Sequence, residues 1–271
     1  MSEAWIAIGF AIFIWWFSTG IVIMLNHVSK SAGTLSWGLS TLLGLGALVG
    51  LHHTAYQTSV TGAYCAFTCA LLAWGWNELS FLTGWITGPQ KTPLPPNYQG
   101  WPRFWMSFKA VLWHELALLI VGLLILVITW RAPNQVSTST YLVLWIMRIS
   151  AKLNLYLGVR NLSEAFLPAH MRYLESFFKR RRMNAFFPFA VTVAFICLQW
   201  ILVAGENPSA QPAEKVGSFL VGSLLALAIL EHFMLFLPLD TTALWRWALR
   251  KPQNPGLGLP HLDSHDPSLP V

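Results

Sequence analysis

Three acidic residues stand where the surrounding sequence is apolar: Glu78, Glu115 and Glu231. Two of them have an imidazole beside them, Glu115 after His114 and Glu231 before His232, and Glu164 and His170 lie in a more polar stretch between. Carboxylate and imidazole together are the donors that bind iron, manganese or zinc. Glu78, His114, Glu115, Glu164, His170, Glu231 and His232 are therefore the candidate metal ligands. The spacing narrows that reading, because adjacent residues on a helix point about 100° apart. A His–Glu neighbour pair reaches one ion less readily than residues three or four apart. The Glu-x-x-His pattern of di-iron helix bundles is absent, and so are the clustered histidines of membrane hydroxylases. A second chemistry is axial ligation, in which one His on a membrane helix holds the magnesium of a chlorophyll while Trp and Phe pack on the macrocycle. His114, His232, His52 and His53 are the candidates for that pigment role. A third reading needs no ligand: Glu accepts hydrogen bonds from His, Arg160, Asn154 or Trp and fixes helix packing.

The chain that positions these groups has 271 residues, 55% hydrophobic, 14% aromatic and 10% charged. Soluble domains carry about a quarter of charged residues, so lipid must solvate much of this surface. Fifteen Trp residues agree, since indole rings collect at the membrane–water boundary. A net charge of +6 would point to nucleic acid in a soluble protein. Here the cations cluster between apolar runs, which is a topology signal, and membrane lipids rather than nucleic acid are the expected surroundings. Cys65, Cys69 and Cys197 all fall in apolar segments and read as packing residues. The first apolar run has no basic flank before it and no small-residue cleavage site after it, so it reads as a retained helix.

A spanning helix needs about 20 mostly apolar residues. Seven segments qualify, at 5–25, 35–53, 61–85, 110–130, 141–159, 185–204 and 216–238. The expected fold is an all-α polytopic membrane bundle over 1–247. Residues 88–102, rich in Pro and Gly, are expected as non-helical loop. The stretch 161–184 is too polar to span and reads as an interfacial basic segment, its Leu, Tyr and Phe among lipid headgroups. Trp245 and Trp247 read as an inner interfacial anchor, and the tail 248–271, with its five prolines after Lys251, is expected to be disordered. Arg160, Arg172, Lys179, Arg180, Arg181 and Arg182 form the strongest basic cluster. Placing it in the cytoplasm puts the N-terminus outside and the C-terminus inside.

That topology aligns the polar residues in depth. Glu78 lies about 10 Å before the inner end of the third span at about 1.5 Å per residue. His114 and Glu115 fall in the first turns of the fourth span, and Glu231 and His232 about two turns before the inner end of the seventh. All sit in the inner leaflet and are expected to form one constellation. His52 and His53 end the second span on the opposite side.

The phrases that hold these residues are distinctive. WNELSFLTGWITGP (76–89), LWHELALL (112–119), LNLYLGVRNLSEAFLPAHMRYLESFF (153–178) and LEHFMLFLPL (230–239) occur in this order. In them the chain resembles the PuhE-type photosynthetic complex assembly proteins of phototrophic bacteria, over essentially residues 1–247. The resemblance implies a role in building the reaction centre–antenna complex in the bacterial inner or intracytoplasmic membrane, with reaction-centre or antenna subunits, other assembly factors or bacteriochlorophyll as partners. It supplies no reaction. A membrane-embedded metalloenzyme acting on a pigment precursor or quinone is the alternative that the Glu and His residues leave open.

Overall fold

The computed structural model describes residues 2–26, 30–162, 167–237 and 241–248. It is all-helical. The helices are α1 (Ser2–Asn26), α2 (Lys30–Thr54), α3 (Val60–Leu82), α4 (Gly100–Ile128), α5 (Val136–Leu157), α6 (Phe186–Glu206) and α7 (Pro212–Met234). Two 3-10 segments, Ala169–Phe177 and Thr241–Trp245, follow α5 and α7. His27, Glu164, Asp240 and the tail beyond residue 248 lie outside the described residues.

Among the described residues, five helical segments are long and apolar enough to cross a membrane: Glu3–Leu25, Thr34–Thr54, Gly100–Ile128, Phe186–Glu206 and Pro212–Met234. The other two helices differ for a physical reason. Helix α3 packs against α1, α2, α4, α5 and α7, so its side chains meet protein rather than lipid. Most of its buried positions are accordingly small or polar, including Ala63, Ala66, Ala70, Ala73 and Asn77, with Phe67, Leu79 and Phe81 the large apolar ones. Helix α5 touches α3, α4, α6 and α7 and carries Arg148 and Lys152 on its inward flank.

Local signals set the ends. Ser59 caps α3 by accepting from the Gly62 N–H. Helix α7 opens with a capping box between Gln211 and Glu214 and with Pro212 in its first turn, where a missing N–H costs nothing. Helix α4 begins ten residues before the expected 110, so Gly100, Trp101 and Pro102 are helical. Pro102 ends no helix there, because it too occupies a first turn. Helix α5 starts at Val136 and ends before Gly158, whose φ of 125° turns the chain out of the helix.

Direction alternates along the bundle. Ala7 and Ala11 of α1, Ala63 and Phe67 of α3, and Val216 and Leu220 of α7 share one core, with Val136 of α5 beside it. The starts of α1, α3, α5 and α7 therefore lie at one end. Leu51, near the end of α2, packs with Ile125, near the end of α4, and with Tyr141, near the start of α5. Phe187 at the start of α6 meets Phe233 and Phe236 at the end of α7. Helices α2, α4 and α6 thus run the other way.

Two parts of the chain that read as interfacial pack one face against the bundle. Met171, Leu174 and Phe177 of the first 3-10 segment are buried against Phe81 and Ala110, so this face meets α3 and α4. Trp245 and Trp247 pack on α1. The Trp16 indole donates to the Leu244 carbonyl at 2.9 Å, and the Trp245 indole donates back to the Trp16 carbonyl at 3.0 Å. The Trp247 ring fills the space beside Gly20, where a Cβ would come within 2.0 Å of it.

Candidate functional site

Arg148 and Lys152 are four residues apart on α5 and so project from one face. Arg148 Nη2 donates to Glu78 Oε2 of α3 at 2.7 Å, and Lys152 Nζ donates to Glu115 Oε1 of α4 at 2.5 Å. Two acids and two bases thus tie three helices together with no net charge. Their side chains are 14% (Glu78), 19% (Glu115), 23% (Lys152) and 37% (Arg148) exposed. A lone charge in lipid costs about 2.5 kcal/mol or more on insertion scales, and pairing is the usual remedy.

His114 sits between these pairs and is fully buried. Its Nε2 lies 3.9 Å from Glu78 Oε1, too far for a hydrogen bond. Neither ring nitrogen has a partner, and the Phe81 ring covers it at a centroid distance of 4.4 Å. Its position is fixed through the backbone: the His114 N–H donates to the Thr87 carbonyl at 2.9 Å, so the loop after α3 is pinned to the middle of α4. Gly88 makes that contact possible, since a Cβ there would stand 2.0 Å from the Lys109 carbonyl oxygen.

Other unpartnered atoms gather on the same three helices. Asn77 Oδ1, Glu78 Oε1, both nitrogens of His114, Trp145 Nε1 and Arg148 Nε are buried without hydrogen bonds. Among the described residues, Tyr173 Oη alone lies outside α3, α4 and α5 in this class. Buried polar groups are otherwise almost always satisfied. Tyr141, near the start of α5, donates to the Leu118 carbonyl at 2.9 Å.

The remaining candidates divide between this junction and elsewhere. Glu231 of α7 accepts from the Trp15 indole at 3.1 Å and lies within electrostatic range of Arg148 and Glu78. Its side chain is exposed. His232 faces α5 instead. A carbonyl can only accept, so His232 Nδ1–H donates to Ala228 O at 2.8 Å. That leaves Nε2 to accept from the Ser150 hydroxyl at 2.9 Å. Both nitrogens are committed, and His232 serves helix packing.

A prediction follows from this second bond. Ser150→Ala, which leaves a buried imidazole nitrogen bare, lowers stability by about 1–3 kcal/mol. In the Ser150→Ala/His232→Leu double variant the loss is smaller than the sum of the two singles. Thermal unfolding in mild detergent measures both, and strictly additive losses would contradict the bond.

His52 and His53 are exposed at the end of α2, with ring centroids 6.0 Å apart. They stand near the start of α3, away from the Glu78 end. His170 is exposed on the first 3-10 segment and lies against Gly84 in the turn after α3. Glu164 lies outside the described residues. Among the described residues, no three His, Cys, Asp or Glu side chains converge to hold a metal ion.

Arg148 and Lys152 went unread in the sequence although a signal was present. Three acids inside apolar spans require compensating cations, and two cations at helical spacing within 141–159 could have been matched to them. Arg103 was missed as well. Only 6% exposed, it donates from Nη2 to the carbonyls of Tyr156 at 3.0 Å and Phe177 at 2.6 Å, clamping the first 3-10 segment to α5.

Residues 1–256 match the family model described as "Protein of unknown function (DUF3623)". A Rhodobacter capsulatus protein, described as "Uncharacterized 30.4 kDa protein in puhA 5'region", is 36% identical over 260 residues, covering 94% of each chain. No solved structure matches the chain. The chain is a member of the DUF3623 family.

Proposed function

We propose that this protein is an assembly factor for the photosynthetic reaction centre–antenna complex, acting inside the bacterial inner or intracytoplasmic membrane on subunits or pigment. The observation that carries the reading is the junction of α3, α4 and α5, where charges are paired but donors and acceptors remain unused. Trp145 Nε1–H and Arg148 Nε–H can donate, while Glu78 Oε1 and Asn77 Oδ1 can accept. A polar group brought through the bilayer by an unassembled helix, or a carbonyl at the edge of a bacteriochlorophyll, would find partners here that lipid cannot supply. The relative in the 5′ region of puhA supports the photosynthetic setting. On this reading all seven α-helices span the membrane, with the N-terminus outside and the Glu78 end of the bundle in the cytoplasmic leaflet.

One observation favours the metalloenzyme alternative, with a pigment precursor or quinone as substrate. His114 keeps both nitrogens unpartnered beside Glu78 Oε1. One set of measurements separates the two. Trp145→Phe removes an N–H and little volume, and His114→Leu removes the imidazole. If the assembly reading holds, bacteriochlorophyll or a photosynthetic subunit co-purifies with the wild-type protein. Reaction-centre levels then fall several-fold in cells making Trp145→Phe at normal abundance. Stoichiometric iron, manganese or zinc that disappears in His114→Leu would move the assignment to the enzyme. Unchanged complex levels in both variants would reject the junction as the working site.

A further inference from the structure

The extended run from Lys179 to Arg182 is stitched along the end of α5. Val159 N–H donates to Lys179 O at 3.0 Å, Lys179 N–H to Leu155 O at 3.2 Å, and Arg181 N–H to Val159 O at 3.0 Å. Side chains alternate along an extended chain, so Lys179 and Arg181 share one side. Arg181 lies over Gly158, where a Cβ would meet its Cγ at 2.7 Å. Arg103 stands behind them, its guanidinium 4.0 Å from the centre of the Tyr156 ring and its Nη2 fixed on two carbonyls.

Backbone bonds therefore hold three cations together. The repulsion is evident at Lys179, whose ammonium is held below its ordinary pKa first by Arg103, then by partial desolvation and by Arg181. None of the three pairs with an acid among the described residues. A like-charged cluster fixed by the fold is stabilised by an anion. The neighbouring surface says which kind. Met183 and Phe189, just before and within the first turns of α6, are 60% and 65% exposed, and α6 is among the helices apolar enough to cross a membrane.

We propose that Lys179 and Arg181, backed by Arg103, seat the phosphate headgroup of an anionic phospholipid whose acyl chains run down Met183 and Phe189 of α6. The fixed backbone distinguishes this seat from a loose basic tail, which would attract charge without selecting one position. The proposal rests on α6 spanning the bilayer with its start at the headgroup level, and it is independent of the assembly role.

Native mass spectrometry of the full chain in neutral detergent tests it, with phosphatidylglycerol and phosphatidylcholine as probes. The first phosphatidylglycerol should bind more tightly than phosphatidylcholine. Lys179→Gln/Arg181→Gln should weaken it by about thirtyfold, as two lost surface cations imply. Lys91→Gln/Arg172→Gln removes the same charge elsewhere and should leave the affinity within about twofold of the wild type if the seat is local. Arg181→Lys keeps the charge and should retain most of the preference, separating charge from folding. Equal losses in the two double variants would mean a diffuse field and overturn the seat, as would no preference in the wild type. Inorganic phosphate that displaces the lipid at matching concentration would show a phosphate site without a lipid and would also overturn it. A protein that fails to float with liposomes would remove the bilayer placement on which the seat rests and would overturn it as well.

Discussion

Replacing Arg148 by Ala is expected to lower the stability of the bundle by about 3 kcal/mol, the lower end for breaking a buried ion pair. The lower end applies because the Arg148 side chain is 37% exposed. Most of the loss comes from what stays behind. Glu78 already has one carboxylate oxygen without a partner, and without Arg148 the other loses its 2.7 Å donor. The carboxylate must then take up a proton or stand charged among Asn77, His114 and the Phe81 ring. Glu78→Gln/Arg148→Ala removes the orphan charge and should recover at least half of the loss. Unfolding in detergent with increasing dodecyl sulfate reads the difference. If Arg148→Ala alone unfolds like the wild type, the pair does not tie α3 to α5.

The second large effect concerns a residue with no side chain. Gly88→Ala places a methyl group 2.0 Å from the Lys109 carbonyl oxygen and 2.6 Å from the Ala110 carbonyl carbon. Both are backbone atoms within α4, so no rotamer change relieves the clash. Either the loop lifts or α4 moves, and the cost is about 3 kcal/mol, the upper end for overpacking. Lifting the loop also removes the Thr87 carbonyl from the His114 N–H. Gly88→Ala should therefore shift the imidazole resonances of His114 in a labelled sample, whereas those of His232 should stay in place. Gly46→Ala serves as the control, because nothing lies within 4 Å of a Cβ there. A Gly88→Ala protein as stable as the Gly46→Ala protein would contradict the docking of this loop.

These two residues mark what the sequence could and could not tell. Most helices were legible because five of them carry an apolar run of spanning length, and hydropathy reports such runs directly. Position along the helices was legible too. Glu78, Glu115 and Glu231 were expected at one level, and Arg148 lies within reach of all three through contact, a shared neighbour or its field. Rotation about the helix axes was not. His232, next to Glu231, turns toward Ser150 of α5, because one step along a helix swings a side chain by about 100°. The start of α4 was hidden by Pro102, which reads as a breaker unless the first turn is already located. The packing of the first 3-10 segment was hidden as well. Met171, Leu174 and Phe177 look like lipid-facing residues until the ends of α3 and α4 are in place to cover them.

The aromatic clasp at the end of the chain bears on the order in which the molecule can be built. Trp15, Trp16 and Gly20 are synthesised long before their partners Leu244, Trp245 and Trp247. The two hydrogen bonds between these ends join residues 228 and 229 positions apart. Helix α1 must therefore wait, with its indole groups uncovered, while everything between is synthesised and inserted. Contacts of such separation form late and slowly. A chain cut before Thr241 keeps α1 to α7 but lacks this clasp, so α1 is expected to be held less firmly there.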